Sequence, residues 1–403
     1  MKNTKTIMFS ALIFSMIIPI VGMDVAVANV DDRQNTNDDE ELITKSSAQW
    51  NEKIPESVTA YRNINLDASN IREQIQNNKE ISIDFNGQTY VLKLIDFQMF
   101  SDDAKAYLRD THGELSEIPR EDLKAYSGYV VGEKGSTVYA LTSPELFSAV
   151  ITTDVKMVMV EPLTTYDRNA NPQQHIVHEI SRHSQDRTTK ISFDALPLQI
   201  PNAYASLNYA NIIMDCDEEF YDLYPSNWQY HQGQALLTSY NIYDNANISF
   251  YISQNVCDSS GTEYTESDID DRLAQLQNYW DGESDTRDFV VLTSGKDFDL
   301  GQIGVTPHED YPIADTANDA YIVAQMVEDS YGYSDGSLAH RQIIIGHEIG
   351  HMFGAVDTEA EVVNPSNPPT YTIMKHGVDI DQLAALLSDD NESTVESAGN
   401  TYL

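Results

Sequence analysis

Cysteine is nearly absent: Cys216 and Cys257 are the only two in 403 residues. That scarcity excludes a disulfide-dense scaffold and any Cys-rich zinc or iron–sulfur module. Basic residues are also few, 24 Lys and Arg against 64 Asp and Glu, for a formal net charge of −40. Nucleic acid and anionic membranes both reward Lys/Arg clusters, so neither is an expected partner. The acidity reads as a solvated, salt-adapted surface. Beyond the N-terminus no stretch holds 18 apolar residues in succession, so no later segment is expected to span a bilayer. Internal repeats and low-complexity tracts are lacking too. Only three residues are Trp, yet 23 Tyr and 12 Phe supply large core side chains, and wholesale disorder is not expected.

The first 28 residues form an address. Lys2 and Lys5 precede an apolar run from Ile7 to Val21, and Ala26-Val27-Ala28 offers small residues for cleavage. This is the three-part pattern of a secretory signal peptide. The mature protein is therefore expected to be extracellular and free of the membrane; separately, a monomer is expected. An uncleaved anchor is the alternative, because the run approaches spanning length.

Charge divides the remainder. Residues 208–389 hold 32 acidic and 5 basic side chains, whereas residues 29–207 hold 28 and 17. Two unlike domains are expected, on the usual prior of about 100–200 residues each. Residues 29–45 are polar and acidic. From 46 to 185 short strands recur, among them a hairpin over 81–95 with an Asn86-Gly87 turn. Residues 186–207, with Pro197 and Pro201, read as a linker. From 208 to 389 strands and helices alternate. A helix is expected over 230–243, another over 268–280, and a long one over 338–353 capped by Ser337 and ended by Gly354. A short helix over 381–387 and a polar tail over 390–403 follow. Cys216 and Cys257 each close a strand-like run on either side of the 230–243 helix. Such a crossover would set the runs parallel, with the cysteines adjacent. A disulfide or two separate thiols would both fit that placement.

The long helix carries His347-Glu348-Ile349-Gly350-His351. Histidines at i and i+4 lie one turn apart on one helical face, so both imidazoles can reach one metal ion. Glu348 stands beside them as a base. Gly354 permits a sharp left-handed turn, after which Asp357 can return as an oxygen ligand. Two imidazoles and one carboxylate leave a fourth position open, the plan of a catalytic zinc site. The plainer alternative puts the histidines on the polar face of an ordinary amphipathic helix. It competes poorly, because Ile343, Ile344, Ile345 and Phe353 already supply a core side.

The string HEIGHMFGAVD resembles the HExxHxxGxx(H/D) zinc-binding motif of the metzincin metallopeptidases, and Tyr371-Thr372-Ile373-Met374 resembles their Met-turn. Strands over 211–214, 289–295 and 321–329 are similar to the adamalysin/reprolysin branch. Residues 126–133 and 137–141 look like part of its prodomain. The resemblance implies an α+β fold: a zincin-like catalytic domain with a twisted, mostly parallel sheet, preceded by a β-rich prodomain-like domain. It implies a secreted zinc-dependent endopeptidase acting on polypeptides, in which a zinc-bound water attacks with Glu348 as general base. Zinc ligands would be His347, His351 and Asp357, with Met374 beneath the metal. Residues 46–185 would be an inhibitory or chaperoning prodomain removed by a cut within 184–207. The competing role for them is a permanent binding domain.

Three departures stand out. Adamalysins carry histidine where Asp357 stands. No cysteine precedes residue 208 to act as a latency switch. At most one disulfide is available. His376 occupies a place where some metzincins put a tyrosine that assists the transition state, so it is a candidate for that role or for an extra ligand. His175, His178 and His183 imitate a metal motif, but the run looks extended and the spacing is wrong. Acidic stretches at 268–271 and 281–285 lack the full calcium-loop pattern, with its glycine and closing glutamate in register, which leaves Ca2+ open. The rival function is a non-catalytic secreted binding or adhesion protein on the same scaffold. Glu348 argues against it, since such a protein needs no base beside a metal.

Overall fold

The computed structural model describes residues 43–44, 54–55, 58, 60–153, 156–180, 208–281, 287–307, 320–330, 334–357, 362–364, 370–375, 383–384 and 386–403. The signal peptide, the 186–207 linker, His183 and His376 lie outside the described residues.

The first half runs through β1 (Ile43–Thr44), β2 (Ala60–Asn65), α1 (Ala68–Gln76), β3 (Ile81–Phe85), β4 (Gln88–Phe97) and β5 (Phe100–Arg109). It continues with β6 (Leu115–Ile118), β7 (Lys124–Val130), β8 (Thr137–Thr142), β9 (Phe147–Thr152), β10 (Met157–Pro162) and β11 (Gln174–Ile180). Among the described residues, an antiparallel sheet takes the order β1-β2-β11-β10-β9-β8-β7-β4-β3. The Asn86-Gly87 turn joins β3 to β4 with φ of 49° and 72°. Both values are left-handed, as a two-residue turn matching strand twist requires. Alternation then decides what is buried: Ile81, Ile83 and Phe85 face inward along β3 and pack with Ile71 and Ile75 of α1.

The second half begins with β12 (Asn208–Cys216), α2 (Glu218–Leu223), α3 (Trp228–Ala235), α4 (Leu237–Tyr243) and β13 (Ile248–Asp258). Next come α5 (Ile269–Trp280), β14 (Phe289–Ser294), β15 (Gly304–Val305), β16 (Tyr321–Gln325) and α6 (Leu338–Met352). β17 (Val362–Asn364), β18 (Thr370–Thr372), β19 (Leu383–Ala384) and α7 (Asp389–Tyr402) complete the chain. β12, β13, β14 and β16 are parallel neighbours, and β15 pairs antiparallel with β16 at one edge. The fold is thus mixed α/β. No helix of the described residues is long and apolar enough to cross a membrane.

The sheet continues past β13 into the first half of the chain. β5 lies parallel to β13, and β6 pairs antiparallel with β5 at the far edge. β4 and β5 are separated in sequence only by Gln98 and Met99, yet they belong to different sheets. One hydrophobic cluster accordingly holds Met99, Leu141, Val150 and Met159 together with Ile212, Met214, Tyr240 and Phe250.

Cys216 and Cys257 form a disulfide at the ends of the parallel pair β12 and β13, with Cα atoms 4.4 Å apart. Three sequence expectations need correction. The helix expected over 230–243 is two helices, α3 and α4, with a tight turn at Leu236 whose N–H bonds the Gly233 carbonyl at 3.2 Å. Where a helix was expected over 381–387, residues 383–384 form β19 beside β18. The expected polar tail, 390–403, is helical. Ser388 Oγ accepts from the Asn391 N–H, and Asp389, Asp390 and Glu392 put negative charge at the positive end of the helix. Asn391, Val395 and Ala398 make a narrow buried stripe at i, i+4 and i+7. A stripe that thin, with an amide in it, leaves too weak a periodic signal to read.

Candidate metal centre

The site grows from α6. Ser337 caps its start, with Oγ accepting from the His340 N–H at 3.3 Å. The connection between β10 and β11 also anchors this end, because the Leu338 N–H donates to the Tyr166 hydroxyl at 3.1 Å. At the other end the Gly354 N–H donates to the His351 carbonyl at 2.9 Å, and the Ala355 N–H to the Gly350 carbonyl at 3.0 Å. These paired bonds need a left-handed residue after the helix. Gly354 supplies it at φ 80°.

The reversal brings Asp357 back over the helix. Its Oδ1 lies 3.7 Å from His347 Nε2 and 3.8 Å from His351 Nε2. The two Nε2 atoms are 3.1 Å apart. Bonds of about 2.0–2.1 Å from a tetrahedral ion would set its ligand atoms about 3.3–3.4 Å apart, so the triangle has the right size for zinc.

The outer hydrogen bonds fix the chemistry of the donors. His347 Nδ1–H donates to the Ile373 carbonyl at 2.7 Å, and His351 Nδ1–H to the Ala355 carbonyl at 3.0 Å. A carbonyl can only accept, so each proton sits on Nδ1 and each Nε2 turns a lone pair toward the shared point. Two lone pairs and a carboxylate facing one another fit a cation. Among the described residues, these three side chains converge with ligand atoms within 4.8 Å of one another.

Small residues let the surroundings close in. Gly346 and Gly350 lie one turn apart on α6. A Cβ at Gly346 would meet Ile242 at 2.8 Å and Ile373 at 3.0 Å, and one at Gly350 would overlap the Met374 sulfur. Met374, fully buried, therefore packs against the helical turn that bears both histidines. Tyr243 of α4 donates its hydroxyl to the Gly346 carbonyl. Burial, and next the charge of Glu348, raises its phenol well above the ordinary value, so it stays a neutral donor. Glu348 is 6% exposed, and its carboxylate lies against the backbone of Gly304 in the edge strand β15. A Cβ at that position would displace the carboxylate.

Tyr243 and Gly304 gave no site signal of their own in the sequence. The glycines at 346 and 350, each just before a histidine, were the available hints. The imitation motif lies elsewhere: His175 and His178 sit on β11, buried in the first sheet. His175 Nδ1–H donates to the Gln173 carbonyl at 2.9 Å, and His178 Nε2 is 2.6 Å from Glu161 Oε1.

None of the curated proteins matches the chain. Among solved structures it is similar to the crystal structure of metalloproteinase-II from Bacteroides fragilis. That likeness has 12% identity and a TM-score of 0.50, and covers 83% of this chain and 96% of the other. At such identity it speaks to the fold. Residues 206–380, the segment that carries the histidine helix and its returning turn, match the model of Metallo-peptidase family M12, which supports a metalloprotease.

Proposed function

We propose that this chain is a secreted zinc-dependent endopeptidase of metzincin type, acting as a monomer on polypeptides. The observation that carries the proposal is the convergence of His347, His351 and Asp357 beside Glu348. Zinc, when bound, would supply Lewis acidity for a carbonyl and for water. His347 and His351 would hold it through Nε2, in the orientation that the Ile373 and Ala355 carbonyls fix, and Asp357 would complete the set. Glu348 accepts the proton of the attacking water on its carboxylate and returns it to the departing amine. Its low exposure keeps bulk water from competing for that proton. β15, at the edge of the sheet among the described residues, is read as the strand that pairs with an extended peptide; such pairing recognises main chain and leaves selectivity to side-chain pockets. His376 remains a candidate to assist the transition state.

Export rests on the signal-peptide pattern of residues 1–28. Residues 46–185 are read as a prodomain that helps the catalytic half fold and is removed by a cut within 184–207. In support, β5 and β6 extend the sheet that carries the catalytic half. N-terminal sequencing of the active secreted form tests this, and a start near residue 29 would overturn it.

The activity is tested with casein and the full chain, with and without a zinc chelator. Glu348→Gln is expected to retain zinc and lose activity by about 10²–10⁴-fold. Undiminished proteolysis by that variant would overturn the assigned role.

A further inference from the structure

α7 begins beside the metal centre, although it lies outside the segment that matches the peptidase family. Its Asn391 is fully buried. The Val356 N–H donates to Asn391 Oδ1 at 2.9 Å, and Asn391 Nδ2 donates to the Val356 carbonyl at 3.2 Å. One amide side chain thus brackets one residue of the turn between His351 and Asp357.

The two bonds fall on the two peptide planes that matter. The Val356 N–H shares a peptide unit with the Ala355 carbonyl, which accepts from His351 Nδ1–H. A hydrogen bond to the N–H end of that unit polarises its carbonyl and strengthens the bond to the histidine. The Val356 carbonyl belongs to the unit that leads into Asp357. Pinning it sets the direction in which the carboxylate leaves the backbone. The same helix entry also reaches the third ligand: the Leu386 carbonyl accepts from the Ile373 N–H at 2.8 Å, and the Ile373 carbonyl accepts from His347 Nδ1–H.

We propose that Asn391 is a positioning residue of the metal centre, which by clamping Val356 orients His351 and delivers Asp357. The inference rests on His347, His351 and Asp357 being metal ligands. It assigns to the C-terminal helix a role in metal affinity beyond covering the core. Asparagine suits the task because it offers one acceptor and one donor in a rigid plane, matching the N–H and carbonyl of a single residue.

The test measures Zn2+ affinity of the full chain by competition with a chromophoric chelator, together with the rise in Tm that zinc produces. Asn391→Leu keeps the shape and removes both bonds; its affinity is expected to fall by about 10–100-fold. Asn391→Asp keeps the acceptor for the Val356 N–H but sets oxygen against the Val356 carbonyl, and should fall between. Val395→Ala is the control. It loosens the packing of α7 without touching the clamp, so it should lower the Tm of the zinc-free chain while leaving affinity within about twofold of the parent. A role in helix docking alone would make Asn391→Leu behave like Val395→Ala, and that result would overturn the inference. If Asn391→Leu does not fold, Asn391→Asp decides: parental affinity in that variant overturns the proposal. Absence of zinc uptake by the parent chain would be a separate failure, of the ligand assignment itself.

Discussion

Arg109→Leu probes the seam between the two halves of the chain. Arg109 ends β5, and its Nη2 donates to Asp215 Oδ2 at 2.9 Å with both side chains 0% exposed. Asp215 also accepts from Tyr264 OH at 2.6 Å, Trp280 Nε1 at 2.9 Å and its neighbour Cys216 N–H at 2.8 Å. The guanidinium lies 3.8 Å from the centre of the Tyr279 ring. Removing one member of a buried ion pair costs about 3–5 kcal/mol, because the other charge is left without its counterpart. Three remaining donors keep Asp215 partly satisfied, so the lower part of that range is expected, about 3 kcal/mol. Asp215→Asn should destabilise similarly by stranding the cation. The double variant should recover much of the loss, giving a coupling of about 2–3 kcal/mol. Urea unfolding followed by fluorescence and by circular dichroism measures this; Trp280, packed on the pair, is a local reporter. Agreement of the two probes is required before free energies are compared in a chain this long. A loss below about 1 kcal/mol for Arg109→Leu, or strict additivity of the two substitutions, would refute the view that this pair fastens β5 into the sheet.

Three further outcomes are expected. Replacing Cys216 and Cys257 by alanine frees a loop with a sequence separation of 41, and should cost about 4 kcal/mol if the bridge acts on the unfolded chain; an unchanged urea midpoint would contradict this. Glu121 accepts from the Gln229 N–H at the start of α3, and burial pushes its carboxyl up to about 7. Its stabilising protonated form is fully present below the unfolded value near 4.5 and is lost as pH rises through about 7. Glu121→Gln should therefore match the parent at pH 4 and exceed it by about 1–2 kcal/mol at pH 8, after allowance for partial exposure. An equal gap at both pH values would show that burial of the charge is not the cause. Gly304→Ala would push a Cβ into the Glu348 carboxylate. It is expected to lower kcat by about 10–100-fold with zinc affinity unchanged, and a parental kcat would place Glu348 elsewhere in the working site.

Local chemistry made much of the site legible in advance. The i, i+4 spacing of His347 and His351 fixes them on one face of any helix. Ser337 and Gly354 mark its ends through hydrogen-bonding capacity and through backbone freedom. Asn86-Gly87 demands a tight hairpin, and the crossover between Cys216 and Cys257 made their pairing one of two outcomes. All of these are contained within a few residues or one supersecondary unit. What the tertiary structure alone decided depends on register between distant segments. Nothing within β5 says that it leaves the sheet of β4 to lie beside β13. Arg109 finds Asp215 only after that choice, and Glu121 finds α3. Asn391 reads as one more polar residue in an acidic tail, because the Val356 peptide it clamps is brought to it by the turn at Gly354. Periodicity reports the face a residue occupies, whereas the partner waiting on that face is set by packing of the whole chain.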